Sequence, residues 1–413
     1  QMRGEKIMDN KKLTAALEKK AVYGNDIDLS SYSDSDKGSL KSVDDLSEAT
    51  RGRLEYVGIE TGAAEEESRS ASFVQLDNNA VEIKVKKQTP LELMSTGKAA
   101  EKYPELVEKY WWKAVQPDTD KYTARTALEK EQGYFIRVKA GEKITTPLQA
   151  CMCISHDQQL QHVHNVIIVE DGAELSIISG CTSAHEVENG MHIGISEMYI
   201  GKNAKLSFTM IHSWGENVVV RPRTVAMVEE GGQYISNYVL IEKAKDVQMY
   251  PTVNLNGKNA VARLNSILVA PEGSHLDIGG RVVLNADGCR AESITRTIST
   301  GGEVINRGCM IGKVEGVRAH LECDGLMLSN KGYILAIPEL DAQTGNAEMS
   351  HEAAVGRINP EEIEYLMARG MSEDDATATI VRGFLNVNIE GLPDSLAKKI
   401  HTTLDSFKYN KGM

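Results

Sequence analysis

From residue 133 onward, apolar and polar residues alternate in short runs that restart at a glycine or an asparagine. The restarts read Gly172-Ala-Glu-Leu, Asn203-Ala-Lys-Leu, Gly232-Gln-Tyr-Ile, Asn259-Ala-Val-Ala, Gly273-Ser-His-Leu, Gly288-Cys-Arg-Ala, Gly302-Glu-Val-Ile, Gly316-Val-Arg-Ala, Gly332-Tyr-Ile-Leu and Asn346-Ala-Glu-Met. Their spacings are 31, 29, 27, 14, 15, 14, 14, 16 and 14 residues, so the first three are about two of the later ones. A period of 14 to 16 with no helical spacing inside it and a turn residue at each restart predicts stacked strands, a parallel β-helix. Glycine and asparagine supply the positive φ that the corners demand. The expected rung is two short strands of one 14-residue repeat, with Leu206, Phe208, Leu264, Val282, Ile298, Ile305 and Leu328 pooled in a shared interior. An antiparallel sandwich also shows regular short strands, but constant spacing over so many restarts favours the solenoid.

The flanks read differently. Residues 10–71 are charged and rich in Ser and Asp, with helix-like pieces around Leu13 to Lys20 and Val43 to Thr50. Phe73 and Leu76, then Asn78-Asn79, then Val81, Ile83 and Val85 predict two strands around an Asn-Asn turn. Thr89-Pro90 predicts a helix start, and a second helix follows Pro104. Tyr110, Trp111 and Trp112 are expected in the core. Beyond the ladder, Asn359-Pro360-Glu361 opens a helix, Gly370 stops it, and Ser372 with Asp375 caps the next. Ser395 is read as starting a last helix through Leu396, Ile400 and Leu404. The expected division is a helical region with a strand pair over 1–130, the β-helix over 131–357 and a small helical unit over 358–413.

Composition narrows the function. With 46 basic and 59 acidic residues in 413, the net charge of −13 argues against a nucleic-acid backbone as partner. No apolar run reaches the ~20 residues of a membrane span and no leader pattern opens the chain, so a cytoplasmic protein is expected. Six cysteines, at 151, 153, 181, 289, 309 and 323, are too few for a disulfide framework and are read as thiols. There is no GxxxxGK[ST] loop, no GxGxxG opening a helix, no GxSxG and no HExxH, since position 355 is Val. The chain is not expected to hydrolyse nucleotide itself.

Three constellations carry candidate chemistry. Cys309 is Gly302 plus seven and Cys323 is Gly316 plus seven, so equal phase predicts that they stack ~4.8 Å apart on consecutive rungs, with Cys289 a poorer companion at the other end. An inert cysteine stack inside the solenoid is the alternative. Ser350-His351-Glu352, with Glu339 and Asp341 one rung before, could ligate a metal or form a hydrogen-bonded cap. His162 and His164 share a strand face, and with His156 and Glu170 they resemble a cupin metal site; solvated edge histidines are the preferred alternative.

The run from His351-Glu-Ala-Ala-Val-Gly-Arg-Ile through Glu364-Tyr-Leu-Met-Ala-Arg-Gly-Met-Ser-Glu-Asp-Asp-Ala to Ile380-Val-Arg-Gly-Phe resembles the SufB/SufD family of iron-sulfur cluster assembly scaffolds, nearest its SufB-like branch. Gly180-Cys181, Gly201-Lys-Asn-Ala-Lys, Trp214 and Glu322-Cys323-Asp324-Gly-Leu-Met-Leu support it. The resemblance implies a right-handed parallel β-helix with helical ends. It also implies an iron-sulfur cluster of unspecified type as cargo and an ABC-type ATPase partner, SufC-like, bound through the C-terminal unit at Arg369, Ile380 and Phe384. Cys181 matches a cysteine associated with sulfur reception, and His351 and Glu352 match interface residues at the nascent cluster. Bacterial SufB places a cysteine where Gly332 stands, so the expected ligand set here is Cys309, Cys323, His351 and Glu352, with Cys289 in reserve. A homodimer, or a pair with a SufD-like chain, is expected at the last rungs. The competing readings are a β-helix polysaccharide lyase or hydrolase and a cupin-like oxygenase on His162 and His164.

Overall fold

A computed structural model describes residues 10–34, 40–60 and 68–385. The chain winds into a parallel β-solenoid of about eight turns with helices at both ends, not a sandwich. Each coil contributes one strand to a ten-stranded sheet and one to an eleven-stranded sheet, and nearly all pairings within each sheet are parallel. The full coil is therefore twice the 14-residue period: Arg290 pairs with Arg318 and Arg318 with Glu348, 28 and 30 residues on. The short intervals between restarts are half-coils that alternate between the sheets. This overturns the expectation that one 14-residue repeat makes a rung.

Alternation along each strand sends every second side chain into the lumen. Val304 and Met310 point inward from Glu303–Gly312, and Ala319, Leu321 and Cys323 from Arg318–Met327; all are buried in one continuous core. The corners need glycine where strands approach most closely. At Gly316, φ is +74° and a Cβ would lie 2.4 Å from Asp287 Oδ1, so no other residue fits without displacement.

The outer faces are covered rather than solvated. Leu54, Val57 and Ile59, in and just after the helix Glu48–Tyr56, cover one end of the ten-stranded sheet. Ile363, Val381 and Leu385, from the helices Pro360–Met367 and Glu373–Leu385, pack with Ile298, Leu326 and Leu328 at the other end. On the eleven-stranded sheet, Trp111, Trp112, Val115 and Tyr122 cover Leu160, Val166, Ile168 and Ile193, as expected for the aromatic cluster. Burial of side chains of this size contributes about 1.5–3 kcal/mol each, as an upper bound.

The flanks follow the sequence with local exceptions. Ala71–Leu76 and Asn79–Val85 form the expected hairpin, but the turn is Asp77-Asn78, with Asp77 at φ +50°. Ala71–Leu76 also pairs in parallel with Leu148–Ile154, so the solenoid reaches back before residue 131. No helix starts at Thr89-Pro90. Leu91–Ser95 is a strand paired with Tyr134–Val138, because the alternation of buried Leu91 and Leu93 with Glu92 and Met94 outweighs the capping signal. Pro104–Tyr110 is helical with proline at its first turn. Asn359 caps Pro360–Met367 by accepting from the Glu361 amide, Gly370 sits at φ +93°, and Ser372 Oγ accepts from the Asp375 amide. The helix expected from Ser395 lies outside the described residues. No described helix is long and apolar enough to cross a membrane.

Candidate functional site

The structure separates Cys309 from Cys323. Cys309 belongs to the eleven-stranded sheet, between Arg281 and Glu339, and points outward, opposite in parity to Val304 and Met310. Burial, then the Glu339 charge, raises its pKa. Cys323 belongs to the ten-stranded sheet, between Thr295 and Ala353, and points into the lumen. Equal phase in a half-coil repeat puts two residues on opposite sheets, so the predicted thiol stack does not form.

Cys323 does share a face with His351 on the neighbouring strand. His351 pairs with Leu321 and faces the lumen from Glu348–Gly356, one diagonal step from Cys323. Its Nε2 is buried with no hydrogen-bond partner among the described residues. Burial, followed by the charges of Asp324 and Glu322, pushes the Cys323 thiol up to about 11, so a metal ion must displace its proton to be bound. Glu352 pairs with Glu322 on the outer face and is exposed. It does not join the lumen pair. Asp341 sits on Tyr333–Ala342 in the other sheet, opposite Ile311.

Among the described residues the end of the lumen is open: Tyr333–Ala342 and Glu348–Gly356 each pair on one side only and expose Tyr333, Leu335, Leu340 and Val355. Gly332, at the corner leading into this coil, has φ +75°, and a Cβ there would lie 2.2 Å from Gly302 O. A cysteine cannot occupy that position without moving the corner.

Cys181 faces the same lumen much deeper in the stack. It lies on Glu174–Ser183, five strand steps from Cys323 within the ten-stranded sheet, or about 24 Å at ~4.8 Å per step, so the two thiols cannot ligate one cluster. Burial pushes its pKa up to about 12. The preceding Gly180 is required because Val57 and Ile59 close over it, with side-chain atoms 2.6 and 2.8 Å from a Cβ built there. Around Cys181 stands a polar cluster that sequence reading missed. His212, its partner on the next strand, meets Tyr238 Oη at 3.0 Å, and His192 Nδ1 meets Gln161 Oε1 at 2.8 Å, with Trp214 between the two imidazoles. Burial keeps both rings neutral, holding His192 at about 3 and His212 far below its usual range. The available signal was His212-x-Trp214, one coil after Cys181. Cys289 is buried at a corner with its Sγ 3.2 Å from Gly257 O, a packing position.

His162, His164 and Glu170 do not assemble a cupin site, and the two histidines are buried rather than solvated. His164 Nε2 meets Glu197 Oε2 at 2.8 Å, and its Nδ1 lies 3.5 Å from Glu131. Burial opposes its charge, but these carboxyl groups outweigh it and push the pKa up to about 9. The same Glu197 accepts from the amides of Trp112, Ala114 and Val115 at 2.6–3.0 Å. Burial holds His162 at about 4. Glu170 pairs with Arg137.

The residues expected at a partner interface divide between two faces. Leu385 is buried, and Ile380 and Phe384 are partly buried against the solenoid, with Arg296 over the Phe384 ring at 5.8 Å. Arg369 is exposed and lies 3.7 Å from the ring centroid of Tyr365, beside exposed Met367 and Met371.

Residues 152–384 match the family described as SUF system FeS cluster assembly, SufBD core domain. An Archaeoglobus fulgidus protein described as an iron-sulfur cluster assembly SufBD family protein is 49% identical, covering 86% of this chain and 94% of that one. A Methanothermobacter thermautotrophicus protein of the same description is 42% identical, covering 96% and 97%. The Bacillus subtilis iron-sulfur cluster assembly protein SufB is 29% identical, covering 88% of this chain and 79% of its own. With its lumen thiols, open C-terminal coil and helical end, the chain belongs to the SufBD family of iron-sulfur cluster assembly proteins.

Proposed function

We propose that the protein is a scaffold on which an iron-sulfur cluster is built at the open end of the solenoid, with an ABC-type ATPase as partner. One observation carries the reading: a thiol, Cys323, and an imidazole whose buried Nε2 lacks a hydrogen-bond partner, His351, share the lumen face of neighbouring end strands. Two such pairs across a two-fold contact between copies supply the four ligands a cluster needs, and histidine replaces cysteine in known clusters. Cys309 and Glu352, on outer faces, are outside this set. Cys181, a sulfur-receiving cysteine by family resemblance, acts at a separate station because of its distance. The ATPase docks on the exposed Tyr365, Met367, Arg369 and Met371, while Ile380 and Phe384 hold the helices in place.

The test is anaerobic reconstitution with iron and sulfide. Cys323→Ser is expected to lose most bound iron with unchanged circular dichroism, and Cys309→Ser to keep it. Full cluster content in Cys323→Ser refutes the ligand assignment. For the partner, Tyr365→Ala with Met371→Ala is expected to abolish co-purification with the ATPase, and retained binding overturns the docking face.

A further inference from the structure

Far from the open end, three potential metal ligands meet where the N-terminal segment crosses the outer face of the solenoid. Asp34 lies on that segment, Glu129 follows the helix Lys121–Leu128, and His162 lies on the strand Gln159–Val169. One ligand atom from each falls within 4.8 Å of the other two. The His162 side chain is buried, and its Nδ1 has no hydrogen-bond partner among the described residues, although two carboxylates stand beside it. The strand holds its backbone in place, with the His162 amide donating to Asn78 Oδ1 at 3.2 Å.

The carboxylates are neutralised by Arg125, whose guanidinium bonds Asp34 and reaches Glu129 at 2.7 Å. Arg125 is nearly a third exposed whereas His162 is buried, so its guanidinium can swing outward without opening the core. The imidazole cannot. We propose that Asp34, Glu129 and His162 bind one first-row divalent transition-metal ion of the Zn²⁺ type, and that Arg125 is the cation that occupies the acidic pair in the metal-free protein.

The donor set fixes the class of ion. A neutral imidazole with two carboxylates suits zinc and its neighbours, whereas magnesium and calcium take oxygen ligands alone. Three protein ligands leave a fourth position for water, and the carboxylates, 30% and 33% exposed, provide a way in. Bound there, the ion ties the N-terminal segment to the first coils. It adds to contacts earlier on that segment, where the Gly24 amide meets Asp277 Oδ2 at 3.1 Å and Asn25 Nδ2 meets Asp246 Oδ2 at 2.7 Å. The site is independent of the cluster reading, because none of its ligands is a thiol and it lies on the outer face.

The full chain, free of iron and sulfide, is titrated with Co²⁺ as a spectroscopic substitute for Zn²⁺. One Co²⁺ per chain is expected to give ligand-field absorption with no sulfur-to-cobalt charge-transfer band, displaced by Zn²⁺ and not by Mg²⁺. His162→Gln is expected to weaken that binding at least about tenfold. Arg125→Gln is expected to tighten it by removing the competing cation, and Cys323→Ser to leave it unaltered. Binding by His162→Gln equal to wild type, weaker binding by Arg125→Gln, or cobalt bound only with the thiolate band overturns the proposal.

Discussion

Glu197 shows how much one buried side chain can hold. It accepts from the amides of Trp112, Ala114 and Val115 and from His164, and Trp112 takes φ +54° to deliver its amide. Glu197→Ala leaves those three amides without their acceptor and takes from His164 one of its two carboxylates, Glu131 remaining, so a loss of about 3–5 kcal/mol is expected, measured by denaturant unfolding. Gly332 is the opposite case, a position defined by the absence of a side chain. Gly332→Cys, at the position where the family resemblance leads one to expect a cysteine, is expected to cost about 1–3 kcal/mol and to add no cluster ligand, because the corner has no room for Cβ. Unchanged stability together with increased iron content contradicts this. His192 sets a pH limit. Its folded pKa of about 3 lies below the ~6.5 of the unfolded chain, so its contribution is complete above pH ~6.5 and is lost as pH falls toward 3, at about 1.4 kcal/mol per unit. His212 acts in the same direction. His192→Gln is expected to flatten acid unfolding over that window, and an unaltered profile assigns the sensitivity elsewhere.

At the scale of elements, the solenoid was legible because glycine and asparagine corners recur with the strands, and the C-terminal caps because Asn359, Gly370 and Ser372 act locally. The site was only partly legible. Alternation looks the same in either sheet, so a 14-residue period does not tell a half-coil from a coil, and on that ambiguity the pairing of Cys309 with Cys323 failed. The shared face of Cys323 and His351 comes from the register between Arg318–Met327 and Glu348–Gly356, which the sequence reading did not supply. The burial of His162 and His164 was not readable, since it depends on helices more than thirty residues away in sequence. The two faces of Glu373–Leu385 and its neighbour now predict different losses. Val381→Ala, against Ile298 and Leu326, is expected to cost about 1–3 kcal/mol. Tyr365→Ala is expected to leave the melting temperature unaltered. Deleting the whole unit uncovers the apolar face it packs on, so lost ATPase binding in a deletion would not separate docking from aggregation.

For the whole molecule, the unsolved problem of a solenoid is its last coil. Each earlier coil satisfies its neighbour's backbone groups, but Tyr333–Ala342 and Glu348–Gly356 have partners on one side only, among the described residues. Unpaired edges bearing apolar side chains are aggregation-prone unless covered. Leu340 and Val355 face the lumen by parity with Met310 and Gly325, yet they are 40% and 45% exposed, with no further coil over them among the described residues. A second copy placed end to end about a two-fold axis covers both edges and brings two Cys323–His351 pairs together. Such a dimer is expected in anaerobic sedimentation of the wild-type chain. Val355→Asp puts a charge at the centre of that contact and is expected to give a folded monomer with wild-type circular dichroism and little reconstituted iron, although Cys323 and His351 are intact. A Val355→Asp dimer that loads iron normally, or a wild-type chain that is monomeric while holding a full cluster, locates both the contact and the ligands away from this end.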